Sequence, residues 1–157
     1  MVPAEMSLRV ARSQHDALRI LDVLKEMHAE VGRAPLDDQR SLANIWSIVQ
    51  DGHARVVEVL DEIVATYGLV RSQWWYSQEE AFFSHWLFIT KEYRNTRAGR
   101  LLLEDICDLV EVEQVPAYVH IYEASPNISR KTRLRIIGEE LGFMPSGRVM
   151  LVEPKGE

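Results

Sequence analysis

Hydrophobic positions along this chain change period several times, and each change marks an element. From Asp16 to Val31 they recur at helical spacing, at Ile20, Leu21, Leu24, Met27, His28 and Val31. Gly32 and Pro35 close that helix. Asp37 or Asp38 is placed to cap a second helix, whose apolar stripe is Leu42, Ile45, Trp46 and Val49 and which ends at Gly52. Ahead of both, Ser7 to Arg12 reads as a short strand. After them come two strand-like runs, Ala54 to Leu60 and Ile63 to Val70, the second continuing toward Trp75. Asp61-Glu62 falls between them at hairpin spacing, although that pair is not a favoured two-residue turn. Ser77 to Glu80 is a further turn. The run Ala81 to Ile89 is apolar on both faces, as a central strand covered from two sides should be.

The second half of the pattern is simpler. A helix is predicted from about Ala98 to Glu113, with Leu102, Ile106, Leu109 and Val110 inward. Past Pro116 come a strand, Ala117 to Tyr122, and a turn through Ser125-Pro126-Asn127. A helix from Ser129 to Leu141, ended by Gly142, and a strand from Arg148 to Glu153 complete the chain. The order β-α-α-β-β-β-α-β-α-β is α/β, with a mixed central β-sheet flanked by helices on both faces. No repeat, linker or shift in composition divides it, so residues 1–157 are expected to form one domain.

One junction in this pattern carries chemistry. The apolar strand ending at Ile89 runs into Lys91-Glu92-Tyr93-Arg94-Asn95-Thr96-Arg97-Ala98-Gly99-Arg100, and that basic turn opens the Ala98 helix. The first amides of a helix have no intrahelical acceptor, and the helix dipole favours an anion there. A strand that delivers a basic turn into a helix N-terminus is therefore suited to gripping phosphate.

Composition narrows the setting. Lys and Arg total 18 against 24 Asp and Glu, a net charge of −6, which argues against general nucleic-acid binding. Two short windows are basic nonetheless: Lys91, Arg94, Arg97 and Arg100, then Arg130, Lys131, Arg133 and Arg135. Solvated helix faces would account for them as well as ligand contacts would. No run approaches the roughly 18 apolar residues of a membrane span, and Met1 to Ser7 lacks the features of a signal peptide. A single cysteine, Cys107, excludes an intrachain disulfide and suits a reducing compartment, so a cytoplasmic protein is expected. His15, His28 and His53 have no metal-ligand spacing, and no metal site is expected.

The order of elements, together with the turn, resembles the GNAT superfamily of acyl-CoA-dependent N-acetyltransferases. The family's pyrophosphate pattern is Gln/Arg-x-x-Gly-x-Gly/Ala ahead of an apolar helix; here it stands as Arg94-Asn95-Thr96-Arg97-Ala98-Gly99. A second likeness is Glu140-Leu141-Gly142-Phe143, closing the last helix as the family's Lys-Leu-Gly-Phe does. Two departures stand out. Arg97 occupies the place of the pattern's first glycine, so the turn must differ somewhat, with Asn95 a candidate for the left-handed region. Gly138 stands where many members carry the tyrosine that protonates the departing thiolate.

The resemblance implies that acetyl-CoA is bound and that its acetyl group passes directly to an amine of a small molecule or a protein. Amides of Asn95, Thr96, Arg97, Ala98, Gly99 and Arg100 would cradle the pyrophosphate, with Arg94, Arg97 and Arg100 adding charge. Backbone groups of Leu87, Phe88 and Ile89 would pair with the pantetheine arm, and one amide there would donate to the thioester oxygen. Asn127 and Arg130 would approach the same arm, although Asn127 serves equally as a turn cap. His85 is the first candidate for the base that removes the amine proton, and Glu80 the second. Each has a structural alternative, a hydrogen-bonded histidine in a buried strand and an exposed turn carboxylate. Tyr118, His120 and Tyr122 share one face of their strand and could line an acceptor pocket, with Tyr122 replacing the missing acid. Trp74, Trp75 and Tyr76, next to Glu79 and Glu80, suit a wall around a cationic amine, or equally sheet core or a homodimer contact. The alternative activity is a protein of the same fold that binds CoA or a partner without catalysis.

Overall fold

Strand order in the sheet follows chain order. The computed structural model describes residues 5–32, 34–121, 133–146 and 154–155. Within them β1 (Ser7–Val10), β2 (Ala54–Val59), β3 (Glu62–Gln73), β4 (Glu80–Ile89) and β5 (Ala117–Tyr118) lie side by side. The first four are joined antiparallel, and β5 adds to β4 in parallel. Helices α1 (Gln14–Val31) and α2 (Asp38–Gln50) pack on one face around Ile20, Leu24, Ile45, Val56 and Trp86. Helices α3 (Ala98–Glu113) and α4 (Arg133–Glu140) pack on the other around Tyr67, Phe82, Leu102, Ile106 and Ile137. This is the mixed α/β architecture, helices on both faces, that the hydrophobic pattern predicts. The strand expected over Arg148–Glu153, the turn at Ser125-Pro126-Asn127 and the first residues of the helix expected from Ser129 lie outside the described residues.

Several boundaries differ from the expectation for identifiable reasons. Helix α1 begins at Gln14, ahead of the first apolar position, because Ser13 caps it. The Ser13 hydroxyl accepts from the Asp16 amide at 3.0 Å while the Asp16 carboxylate accepts from the Ser13 amide. Asp16 is 4% exposed and is also gripped by both terminal nitrogens of Arg9, at 2.7 and 2.9 Å. Arg9 and Arg19 both reach Glu58 on β2, so this charge network ties the helix start to the sheet. The β2–β3 turn is not Asp61-Glu62 but Leu60-Asp61, because Glu62 pairs with Val59 inside the ladder. Leu60 and Asp61 both have positive φ, 50° and 64°, as a two-residue hairpin turn that follows strand twist requires.

The decisive irregularity is in β4. Gly68 of β3 pairs with Trp86 while the next residue, Leu69, pairs with Ser84, so His85 is an extra residue with no cross-strand partner. This bulge reverses the alternation of faces. Phe82 belongs to the α3–α4 core, and Trp86, which an unbroken strand would aim the same way, belongs to the α1–α2 core. Gly68 accommodates the switch: a Cβ there would overlap the Trp86 ring, whose Nε1 donates to Thr66 Oγ1 at 3.0 Å.

Candidate active site

The edge of β4 that faces β5 is paired only at its beginning. Phe82 and Phe83 align with Ala117 and Tyr118, and the Phe82 amide donates to the Pro116 carbonyl at 2.8 Å. The ladder then stops. The amide of His120 donates to the side chain of Ser84, at 2.8 Å, rather than to β4 backbone. β5 is therefore shorter than the predicted Ala117–Tyr122 run, and from Ser84 to Ile89 the β4 edge has no strand beside it among the described residues. An unpaired strand edge offers backbone donors and acceptors to any extended ligand with amide groups. Leu87 and Ile89 anchor this segment in the α3–α4 core and Phe88 anchors it in the α1–α2 core.

The same strand leads into the basic turn. Lys91–Tyr93 form one 3-10 turn, Thr96 Oγ1 donates to the Tyr93 carbonyl at 2.6 Å, and α3 starts at Ala98. Arg97 is the residue before α3, with φ −76° and ψ 1°, and its side chain does not cap the helix; the Thr96 hydroxyl accepts from the Ala98 amide at 3.3 Å. The amides of Arg97, Gly99 and Arg100 make no hydrogen bond among the described residues, and the first turn of α3 holds no acidic residue. An uncapped positive helix end with free amides suits an anion. The expected left-handed residue is not needed: no residue of the turn has positive φ, and Asn95 does not supply one. Gly99 is required for a different reason. A Cβ there would stand 2.9 Å from Leu134 and 3.1 Å from Ile89, so the glycine lets α3 approach α4 and β4.

The turn's cations are differently placed. Arg94 is bound to Glu30 at the end of α1 through Nη2, at 2.7 and 2.9 Å, and its Nε donates to the Ile89 carbonyl. Arg100 reaches Glu140 of α4 at 2.7 Å. Arg97 is exposed and has no ion pair among the described residues, as has Lys91. Of the turn's arginines, Arg97, the residue that replaces glycine in the sequence pattern, is thus the one with no hydrogen bond or ion pair from its side chain among the described residues.

A cavity of about 690 Å³ opens on the other side of β4, between that strand and helices α1 and α2. Leu21, Leu24, Ile45, Ile48 and Trp86 form its apolar walls, and His28, Glu30, Asn44 and His85 its polar ones. The bulge is what delivers His85 here. Its side chain is exposed at the cavity, not buried in a strand as the structural alternative required.

Other candidates are placed elsewhere. Glu80 lies in β4, not in a turn, and is paired with Arg71, which also binds Glu113 at 3.1 Å. It is therefore an ion-paired carboxylate at the far end of the strand from the basic turn. Tyr122, Asn127 and Arg130 lie outside the described residues. A Cβ at Gly138 would stand in ordinary contact with Phe143 and Leu103, at 3.6 and 3.7 Å; the position brings no acid and packs against the core of α3 and α4. Trp74, Phe83 and Tyr118 pack edge-on or stacked on one another, with Trp74 stacked on Tyr76. The bulge at His85 and the Arg94–Glu30 pair had no signal in the sequence; a histidine inside an apolar strand was the only hint of the former. Among the described residues no group of His, Cys, Asp and Glu is arranged to hold a metal ion, and no helix is long and apolar enough to cross a membrane.

No protein-family model matches the chain, and no curated protein matches it. Solved structures do. A predicted acetyltransferase from Clostridium acetobutylicum, solved with acetyl-CoA, superposes with a TM-score of 0.71 over 95% of this chain and 96% of its own, at 12% identity. The aminoglycoside N-acetyltransferase AAC(6')-Iy, solved with CoA, gives 0.69 over 99% of both chains at 15% identity. A possible acetyltransferase from Clostridium difficile 630 gives 0.68 over 97% and 99% at 16% identity. The fold is that of the GNAT acetyltransferases.

Proposed function

We propose that this protein is an N-acetyltransferase that moves the acetyl group of acetyl-CoA directly to an amine. The observation that carries the proposal is the junction at Ile89, where an unpaired strand edge runs straight into an uncapped, cation-bearing helix N-terminus. A ligand with an extended amide-containing arm and a diphosphate needs those two features in that order. The likeness in fold to structures solved with acetyl-CoA and CoA supports the same reading.

In this reading the amides of Arg97, Gly99 and Arg100, with the free Arg97 guanidinium, hold the diphosphate. Asn95, Thr96 and Ala98 shape the turn, and Arg94 fixes it to α1. Backbone groups of Leu87, Phe88 and Ile89 hold the arm, and one amide of that segment donates to the thioester oxygen as negative charge develops there. The neutral amine nitrogen attacks the thioester carbon, forming the C–N bond as the C–S bond breaks. His85 takes the proton that the nitrogen gives up, directly or through water. The thiolate that leaves is protonated in turn; Tyr122 is assigned that role because Gly138 has none to offer. Glu80 keeps a supporting place only, being paired to Arg71. Asn127 and Arg130 are assigned to the arm beyond the pyrophosphate.

Thiol release measured with acetyl-CoA and an amine panel tests this. His85→Ala is expected to lower turnover by about 10²-fold while leaving the acetyl-CoA dissociation constant nearly unchanged. An unchanged rate would remove His85 from the mechanism. The second reading, CoA or partner binding without catalysis, is favoured by the lack of an acidic side chain at Gly138. Acetyl-CoA binding with no product from any amine would select it.

A further inference from the structure

We infer that the acceptor is a monoamine carried on an aromatic or apolar body, not a polycation; this rests on the acetyl-transfer reading and specifies its second substrate. Among the described residues Glu30 is the one carboxylate lining the α1–α2 cavity, and Arg94 already neutralises it through both oxygens. His28, another polar lining residue, is occupied by the Ala34 carbonyl, 2.6 Å from its Nε2. An acceptor with several ammonium groups would have to place them against Leu21, Leu24, Ile45, Ile48 and Trp86 with no free carboxylate among the described lining residues, which is unfavourable. A single amine that must lose its proton before it reacts meets no such penalty.

The second line is the aromatic surface beyond the bulge. Val70 packs into the α1–α2 core, and its cross-strand partner is Phe83, so Phe83 lies on the same face of the sheet as Trp86. Around Phe83 stand Trp74, with ring centroids 4.9 Å apart, and Tyr118, at 5.6 Å. Tyr76 stacks on Trp74 and is 66% exposed. These rings form a partly exposed shelf. His85 sits in the strand between Phe83 of the shelf and Trp86 of the cavity. An amine presented to His85 therefore has apolar ground on both sides, and a ring or alkyl chain is what such ground binds. The cavity's volume, about 690 Å³, is that of a small-molecule site.

The test uses the wild-type chain. Acetyl-CoA binding is first measured by calorimetry, and kcat/KM is then compared for phenethylamine, spermidine and kanamycin. The inference expects phenethylamine to exceed both polycations by about 100-fold. It also expects Trp74→Ala to raise KM for phenethylamine by about tenfold while the acetyl-CoA dissociation constant holds. Preference for spermidine or kanamycin would overturn the inference and leave acetyl transfer standing. Acetyl-CoA binding with no amine acetylated would overturn the inference and favour the non-catalytic reading. Absence of acetyl-CoA binding would overturn both.

Discussion

Arg94 and Glu30 hold each other across the space between the basic turn and the last turn of α1, with Arg94 Nη2 2.7 and 2.9 Å from the two carboxylate oxygens. The guanidinium lies 5.4 Å from the centre of the Phe88 ring, so it also covers an apolar side chain. One residue of the turn is thereby committed to the wall of the α1–α2 cavity, and in the proposed function the cofactor is left to Arg97 and the free amides.

That division has a measurable consequence. Both partners are about one-third exposed, so breaking the pair should cost no more than about 1 kcal/mol in urea unfolding. Arg94→Ala leaves Glu30 without this partner in the cavity wall. It is expected to change KM for the amine by more than about threefold and the acetyl-CoA dissociation constant by less, which steady-state kinetics and calorimetry distinguish. A large loss of acetyl-CoA affinity with an unchanged amine KM would assign Arg94 to the phosphate instead.

The hairpin turn at Leu60-Asp61 is a place where stability can be gained. Leucine at φ 50° is strained, and its side chain is 80% exposed, so nothing packs against it in return. The double substitution Leu60→Asn with Asp61→Gly supplies the residues that this turn favours and is expected to raise stability by about 1 kcal/mol. Equal or lower midpoints in chemical denaturation would contradict the assigned turn geometry.

Gly68 is predicted to be intolerant. Because Trp86 lies over its Cα, Gly68→Ala must displace the indole, with loss of its hydrogen bond to Thr66. The expected cost is about 1–3 kcal/mol, read from thermal or urea unfolding. Displacing Trp86 should also disturb His85 next to it, so turnover should fall further than stability alone explains.

Acid should act through Asp16. The hydrogen bonds from Arg9 hold its carboxyl well below the usual carboxylate range, against the opposing effect of burial. A depressed folded-state pKa stabilises the fold above the unfolded value and loses that contribution as pH falls through the folded one. Stability should therefore decline below about pH 4, and Asp16→Asn should flatten that decline. At neutral pH the same substitution is expected to cost about 1–3 kcal/mol, since Arg9 loses one of its two carboxylate partners while an amide oxygen can still accept from the Ser13 amide.

Much of the fold was legible because it rests on period and punctuation. The helical stripe of α1, the apolar run of β4 and the α3 boundary at Ala98 all follow from residue order alone. The bulge was not legible. His85 reads as an ordinary strand position until the pairing of Gly68 with Trp86 shows that the strand carries one residue too many. Apolar residues on both sides of His85 hide it, because a buried strand has no polar alternation to lose register. The roles of the turn's arginines were also hidden. Arg94, Arg97 and Arg100 are equivalent as sequence, and only the position of Glu30 on α1 and Glu140 on α4 separates the paired from the free. The Ala117–Tyr122 run shortened for a tertiary reason, the departure of β4's edge after Phe83, to which local propensity is blind.

The central claim is that the turn before α3 binds the diphosphate of acetyl-CoA, and calorimetric titration of the whole chain with acetyl-CoA tests it most directly. Saturable one-to-one binding is expected well below millimolar ligand, with Arg97→Ala weakening it by about tenfold, or about 1.4 kcal/mol. Heat-denaturation midpoints should rise with acetyl-CoA in step with that affinity. No binding at millimolar acetyl-CoA, or affinity indifferent to Arg97, would contradict the claim.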